Sequence, residues 1–274
     1  MRWKNVLSSP FPVRNSVRQG GILSSYLFSV YVDDLSRKLT NTRIGCCIGS
    51  VYINNIFYAD DITLLATSIQ ALKILLSICE EYGKENSIIF NSQKSVCQCF
   101  CDISFNYIRP LVKLCGKSLK WCDTVKYLGY DISCWDRDVD ELNRRRRELY
   151  ARANLIRSKF FTCSIPVKRY LFNTFFSSIY CCGLWVPTDK KLLQRVKVAY
   201  NDAFRIVFGI SRRSSASQMF CENNVRDFSA LRRVAAYSLL RRVAESSNSI
   251  INAIVNSNVF MKSSITVQWK SLLF

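Results

Sequence analysis

The stretch from Val51 to Leu65 constrains this chain more than any other. It consists of apolar runs in which the only charges are Asp60 and Asp61, side by side. Val51-Tyr52-Ile53 and Ile56-Phe57-Tyr58 lead in, and Ile62-Thr63-Leu64-Leu65 leads out. These β-branched and aromatic residues predict a hairpin over residues 50–66 with the acidic pair at its tip. Successive side chains of a strand point to opposite faces, so the two carboxylates are forced to a sheet edge or a cleft. There they repel each other unless a cation intervenes. A hard divalent cation such as Mg²⁺ takes one or two carboxylates together with phosphate oxygens. Asp is also a common turn residue, so the local pattern leaves both a metal-holding tip and a plain turn open.

The segments around this hairpin follow recognisable periods. After a turn at Gly20-Gly21, apolar residues recur at helical spacing from Ile22 to about Lys38, with Ser24 placed to cap and Arg37 and Lys38 near the C-terminal dipole. Leu72, Leu75, Leu76 and Cys79 give residues 68–82 an apolar helical face, with Gly83 after its end. Residues 87–90 and 96–100 read as strands with Lys94 between them, and Gly116 as a turn before residues 119–127. From about Asp138 helical spacing takes over, in segments 139–158, 167–180, 189–208 and 228–245. Thr188 and Asp227 are expected caps, and Gly209 ends the third segment. Ser-rich residues 211–217 and 246–249 read as loops. The expected class is α+β. An antiparallel sheet with helices on one face occupies residues 1–135, followed by an all-helical basic region over residues 136–274.

Charge changes at the same boundary. Residues 1–140 carry 16 basic and 13 acidic residues, net +3, and residues 141–274 carry 23 and 7, net +16. An excess of this kind predicts a polyanionic partner, nucleic acid before membrane. No run of apolar residues is long enough for a transmembrane helix and no export signal opens the sequence, so an intracellular protein of cytoplasm or nucleus is expected, with no membrane partner. The 13 cysteines are then expected to be reduced. Cys97, Cys99 and Cys101, and the pairs Cys46-Cys47 and Cys181-Cys182, lack zinc-ligand spacing and read as small buried hydrophobes. The chain contains no histidine, which excludes Ser-His-Asp and Cys-His catalysis and leaves carboxylates, lysines and thiols.

Four segments, in order, resemble the reverse transcriptases of LINE-like (non-LTR) retrotransposons. Residues 18–28, Arg-Gln-Gly-Gly-Ile-Leu-Ser-Ser-Tyr-Leu-Phe, look like the box that opens a long palm helix. Phe57-Tyr58-Ala59-Asp60-Asp61 resembles the catalytic hairpin, Phe90-Asn91 with Lys94 the next box, and Lys126-Tyr127-Leu128-Gly129 the primer-grip hairpin. A rival acidic pair, Tyr31-Val32-Asp33-Asp34, is similar to the retroviral polymerase box. It lies inside a helical segment without a second apolar strand and is set aside.

The resemblance implies an RNA-directed DNA polymerase that performs two-metal nucleotidyl transfer, with a partial palm followed by a helical thumb. Asp60 and Asp61 would hold Mg²⁺ or Mn²⁺, with Lys94 near the triphosphate. Gln19, Gly20, Tyr58 and Ala59 would lie at the nucleotide and template, and Tyr127, Leu128 and Gly129 at the primer. Its partners would be an RNA template, a DNA primer and deoxynucleoside triphosphates; no stable protein partner is expected. Arg144, Arg145, Arg147, Lys168 and Arg169 would run along nucleic-acid phosphates, although four consecutive arginines cannot all face one side of a helix. The family also has fingers and a palm strand bearing a first catalytic aspartate. These are expected ahead of residue 1, because residues 1–17 hold no Asp or Glu. The expectation is therefore a chain lacking that strand, with impaired polymerisation. The alternatives are a non-catalytic nucleic-acid-binding protein and a non-functional mobile-element remnant.

Overall fold

The computed structural model describes residues 2–10, 21–100, 109–134, 138–177, 179–185 and 190–273, with Arg2 and Trp3 described by backbone alone. The chain divides into two compact units, Met1–Phe90 with Val112–Gly116, and Asn91–Leu111 with Lys117–Phe274.

In the first unit β1 (Arg2–Trp3) pairs antiparallel with β2 (Val6–Leu7). Helix α1 spans Ser24–Asn41. Ser24 is its first helical residue and not a side-chain cap, since the Leu23 position already has helical dihedrals. Asp33 and Asp34 sit in this helix, Asp33 paired with Arg37 at 2.6 Å. The next strands are β3 (Cys47–Ile48) and β4 (Val51–Tyr52), paired with each other, then β5 (Asn55–Tyr58) and β6 (Asp61–Leu64). Helix α2 (Ile69–Glu85) begins at a true cap, Ser68, whose side chain accepts from the Ala71 N–H.

The core of this unit joins Leu35 and Leu39 of α1 to Leu75, Cys79 and Tyr82 of α2, with Phe57, Ile62 and Leu64 of the hairpin packed against them. Two buried asparagines interrupt the expected apolar lead-in. Asn54 donates at 2.7 Å to both the Leu39 and Ile44 carbonyls, and Asn55 donates to Thr40 Oγ1 at 3.0 Å. Buried amides need such partners, and here they tie the end of α1 to the start of β5. Gly83 lies inside α2 rather than beyond it. A Cβ there would stand 2.8 Å from the Ile88 carbonyl oxygen and 2.9 Å from the Phe90 ring, so close packing, not termination, explains the glycine.

The second unit holds β7 (Val96–Cys97), and after β8 (Lys113–Leu114) of the first unit, β9 (Lys117–Ser118), β10 (Lys120–Trp121), β11 (Thr124–Tyr127) and β12 (Tyr130–Ser133). Strands β7 and β10 pair in parallel, and β11 and β12 antiparallel. The expected single antiparallel sheet is thus a set of two-stranded ladders among the described residues, one of them parallel. Residues 87–90 and 98–100 are not strands. Helices α3 (Val139–Phe160), α4 (Ile165–Phe176), α5 (Lys190–Phe208), α6 (Ala216–Glu222), α7 (Phe228–Ala244), α8 (Ser249–Val255), α9 (Asn258–Met261) and α10 (Ser264–Leu273) complete it.

Asp227 caps α7 by accepting from the Ala230 N–H at 2.7 Å. Thr188 lies outside the described residues. The Ser-rich stretch expected as loop contains the start of α6, because Ser215 caps it and Met219 and Phe220 are buried. The core is aromatic: Phe172 stacks on Phe176 at 4.5 Å and meets Phe204 edge-on at 4.9 Å, and Tyr200 stacks on Phe220 at 5.6 Å. Burying one such ring contributes about 1.5–3 kcal/mol. The units do not divide at residue 135. Tyr130 packs against this helical core, and its hydroxyl donates to Asp138 at 2.6 Å, so the β11–β12 hairpin belongs with the helices.

Candidate nucleotidyl-transfer site and nucleic-acid interface

The β5–β6 hairpin closes through a two-residue turn, with Tyr58 opposite Asp61 and Ala59 and Asp60 at the bend. Ala59 has φ +50, a left-handed conformation that costs an alanine roughly 1–2 kcal/mol. Such strain persists where the surrounding ladder over-determines the bend, and it is frequent at functional sites. Tyr58, Ala59, Asp60 and Asp61 are all exposed. Among the described residues neither aspartate forms an ion pair. Two adjacent, solvated, uncompensated carboxylates supply hard oxygen donors and negative charge, which fits a divalent cation with phosphate oxygens.

Gln19 and Gly20 lie outside the described residues. Lys94 belongs to the second unit, exposed in a turn in which the Asn91 side chain accepts from the Gln93 and Lys94 N–H groups.

Tyr127, Leu128 and Gly129 form the second expected bend. Tyr127 pairs with Tyr130 across a two-residue turn in which Leu128 has φ +47 and Gly129 φ +79. Positive φ at both positions is the hairpin geometry that matches strand twist, and only the second position holds the residue that adopts it freely. The turn is gripped from α3. Arg144 and Arg145 both donate to the Gly129 carbonyl oxygen, at 2.8 and 2.9 Å.

Their charges are neutralised in place. Arg145 Nε donates to Glu141 at 2.6 Å, and Arg144 donates to Asp131 at 2.7 Å, to Glu148 at 2.9 Å and to Glu141. Burial works against the Arg144 charge, but Asp131 and Glu141 outweigh it, and the pKa stands above the ordinary guanidinium value. The expectation that Arg144 and Arg145 lie along nucleic-acid phosphates is therefore corrected. Their donors face inward because α3 turns about 100° per residue and this side of it meets the hairpin.

Lys168 needs a similar correction. It is buried, with its ammonium 5.5 Å from the Phe161 ring centre, a cation–π contact and not a solvent-facing charge. Arg147 and Arg169 are exposed, as a phosphate-binding role requires. Sequence reasoning missed Glu141 and Asp131, which hold the turn, and the one available signal was their spacing from Arg145 and Arg144.

The cysteines are not uniformly buried. Cys97 and Cys182 are, Cys46, Cys99 and Cys181 are half-buried, and Cys47 is exposed; Cys101 lies outside the described residues. Among the described residues no helix is long and apolar enough to cross a membrane.

Residues 2–132 match the family model described as reverse transcriptase (RNA-dependent DNA polymerase). The chain is also similar to a Drosophila melanogaster protein named "Probable RNA-directed DNA polymerase from transposon BS". The two are 25% identical over 222 residues, which cover 76% of this chain and 24% of the relative. The chain thus spans about a quarter of the length of the curated relative it matches. No solved structure matches the chain.

Proposed function

We propose, from the match of residues 2–132 to the reverse-transcriptase family model, that this chain is the part of a LINE-like retrotransposon polymerase that carries the acidic hairpin and a basic helical region. The reaction is transfer of a deoxynucleotide to a DNA primer along an RNA template. The observation that carries this reading is the pair Asp60 and Asp61, exposed and without a counter-charge among the described residues, at the bend of an apolar hairpin within the matched segment. In this reading Asp60 holds a divalent cation, Mg²⁺ or Mn²⁺, with Asp61 beside it, and Tyr58 and Ala59 shape the bend. Bound there, the cation would neutralise developing phosphate charge.

Lys94 is a solvated ammonium suited to a triphosphate and to protonating its leaving group. Gln19 and Gly20 are assigned to nucleotide and template by the same family pattern. The Tyr127–Gly129 bend, gripped by Arg144 and Arg145, would hold the primer backbone, and Arg147 and Arg169 would meet phosphates.

The test combines two readouts. Polymerisation by the 274-residue chain is expected to be impaired, and whatever template-dependent primer extension it shows is expected to disappear in Asp60→Ala. Mn²⁺ binding, followed by electron paramagnetic resonance, is expected to weaken at least tenfold in Asp60→Asn. Extension that survives Asp60→Ala, or Mn²⁺ binding indifferent to Asp60→Asn, would refute the assignment. One observation favours a second reading, nucleic-acid binding without catalysis: the net +16 of residues 141–274 lies outside the matched family segment. That reading predicts tight binding and no extension.

A further inference from the structure

The four consecutive arginines of α3 divide into two pairs. Arg144 and Arg145 are neutralised against the β11–β12 hairpin. Arg146 and Arg147 instead line an open groove between α3 and α5, of about 550 Å³, together with Tyr150, Gln194, Arg195 and Val198. Among the described residues Arg146, Arg147 and Arg195 form no ion pair with any carboxylate. The acid beside the groove, Asp202, is already engaged. It accepts from the Tyr150 hydroxyl at 3.0 Å and from Arg205 at 3.2 Å. The Tyr150 ring is thereby fixed in the wall, and Val198 beside it is 45% exposed. The walls themselves are rigid, since Leu149, Ala153 and Ile156 of α3 and Leu192, Val196 and Ala199 of α5 are buried in one core.

We infer that this groove binds a single, unpaired nucleic-acid strand, with phosphates on Arg146, Arg147 and Arg195 and a base laid against Tyr150 and Val198. The inference rests on reading the chain as a nucleic-acid-handling protein, but not on catalysis at Asp60. Guanidinium groups match phosphates with paired N–H donors. The groove, at about 550 Å³, has the size of a small-ligand cleft, enough for roughly one or two nucleotides. A duplex keeps its bases stacked and offers only phosphates, whereas a single strand offers base faces to aromatic and apolar side chains. An acidic peptide would satisfy the arginines but leave the Tyr150–Val198 floor without a planar partner. Gln194 can donate to or accept from a base edge without selecting one base.

The experiment is fluorescence anisotropy with the full 274-residue chain, without divalent ions or nucleotides. The probes are a labelled oligouridine, an RNA duplex of equal length and a polyglutamate peptide of equal charge. The single strand is expected to bind at least tenfold tighter than either competitor. The variant combining Arg146→Ala, Arg147→Ala and Arg195→Ala should weaken single-strand binding tenfold or more. It should also flatten the slope of log K against log salt by about 2, since each phosphate contact on a single strand contributes about 0.7.

Val198→Asp alters an exposed position without disturbing the core and is expected to weaken binding comparably. Lys262→Ala with Lys270→Ala removes exposed charge elsewhere and should change affinity less than twofold. Duplex or peptide binding as tight as the single strand would overturn the inference, the latter by assigning the groove to acidic protein segments. Single-strand affinity unchanged in both the arginine variant and Val198→Asp would also overturn it. A chain that fails to extend primers still reports on the groove in this assay, so the two proposals fail separately.

Discussion

Glu141→Ala removes the anion at the centre of the cluster that grips the β11–β12 bend. The Glu141 side chain is fully buried and accepts from Arg145 Nε at 2.6 Å, from Arg144 and from the Asp131 N–H at 3.2 Å. Hydrogen bonds to charged groups contribute about 1.5–3 kcal/mol each, so the three lost contacts to this carboxylate total roughly 4.5–9 kcal/mol. Two effects reduce this. The buried carboxylate no longer has to be desolvated, and neither guanidinium is orphaned, because Arg144 keeps Asp131 and Glu148 and Arg145 keeps Glu148 at 3.0 Å. Removing one partner of a buried pair typically costs about 3–5 kcal/mol, and the remaining partners place Glu141→Ala at about 3–4 kcal/mol.

At about 2–4 °C per kcal/mol for a body of this size, the midpoint of the helical unit should fall by roughly 6–16 °C. Tryptophan fluorescence follows this transition, since Trp185 and Trp269 are buried in the helical unit. Urea unfolding supplies the free energy. Glu141→Gln keeps the shape and one acceptor and should lose about half as much. If both variants lie within about 1 kcal/mol of the parent, the cluster does not hold the bend and the reasoning is refuted.

Other perturbations test separate parts of the structure. Gly83→Ala gains about 1 kcal/mol of helix propensity but forces a Cβ to 2.8 Å from the Ile88 carbonyl oxygen; overpacking of 1–3 kcal/mol should win, and urea unfolding should give a net loss of about 1 kcal/mol. Phe172→Ala empties the centre of the aromatic core and is expected to cost about 3–5 kcal/mol in the same assay, with a loss below 1 kcal/mol contradicting the packing described. Burial pushes the thiols of Cys79 and Cys182 up to about 12 and about 11, so alkylation read by mass spectrometry near neutral pH should label exposed Cys47, Cys115 and Cys221 first and these two only on unfolding. The folded state holds those two protons more tightly than the unfolded chain. Their contribution to stability is therefore complete below about pH 9 and should decline as pH rises toward 11 and 12, visible as a falling urea midpoint.

The parts of the site legible in the sequence were those governed by local periodicity. The acidic bend could be read because the apolar runs on either side of it leave two carboxylates no buried face. The Tyr127–Tyr130 bend was marked only by its resemblance to the primer-grip hairpin, whereas α3, α5 and α7 were marked by helical spacing and, for α7, the Asp227 cap. Asn54 and Asn55 were not legible as buried. Nothing local distinguishes an asparagine that faces water from one that faces the Leu39 and Ile44 carbonyls. Gly83 read as a helix end because glycine usually ends helices, while the Phe90 ring that requires it comes from a loop beyond the helix.

The sequence by itself determined that this chain has an acidic bend between apolar strands, a helical basic half and no histidine chemistry, since each follows from residue type and short-range spacing. Tertiary structure alone decided which charges face outward. Arg144, Arg145, Arg146 and Arg147 are identical in composition, yet two are spent inside on Glu141, Glu148 and Asp131 and two line a groove with Arg195. The reason is that a buried guanidinium is held by the acceptors around it: Glu141 and Glu148 stand one turn away on α3 itself, but Asp131, the Gly129 carbonyl and the second wall of the groove reach α3 through packing and not through neighbouring sequence.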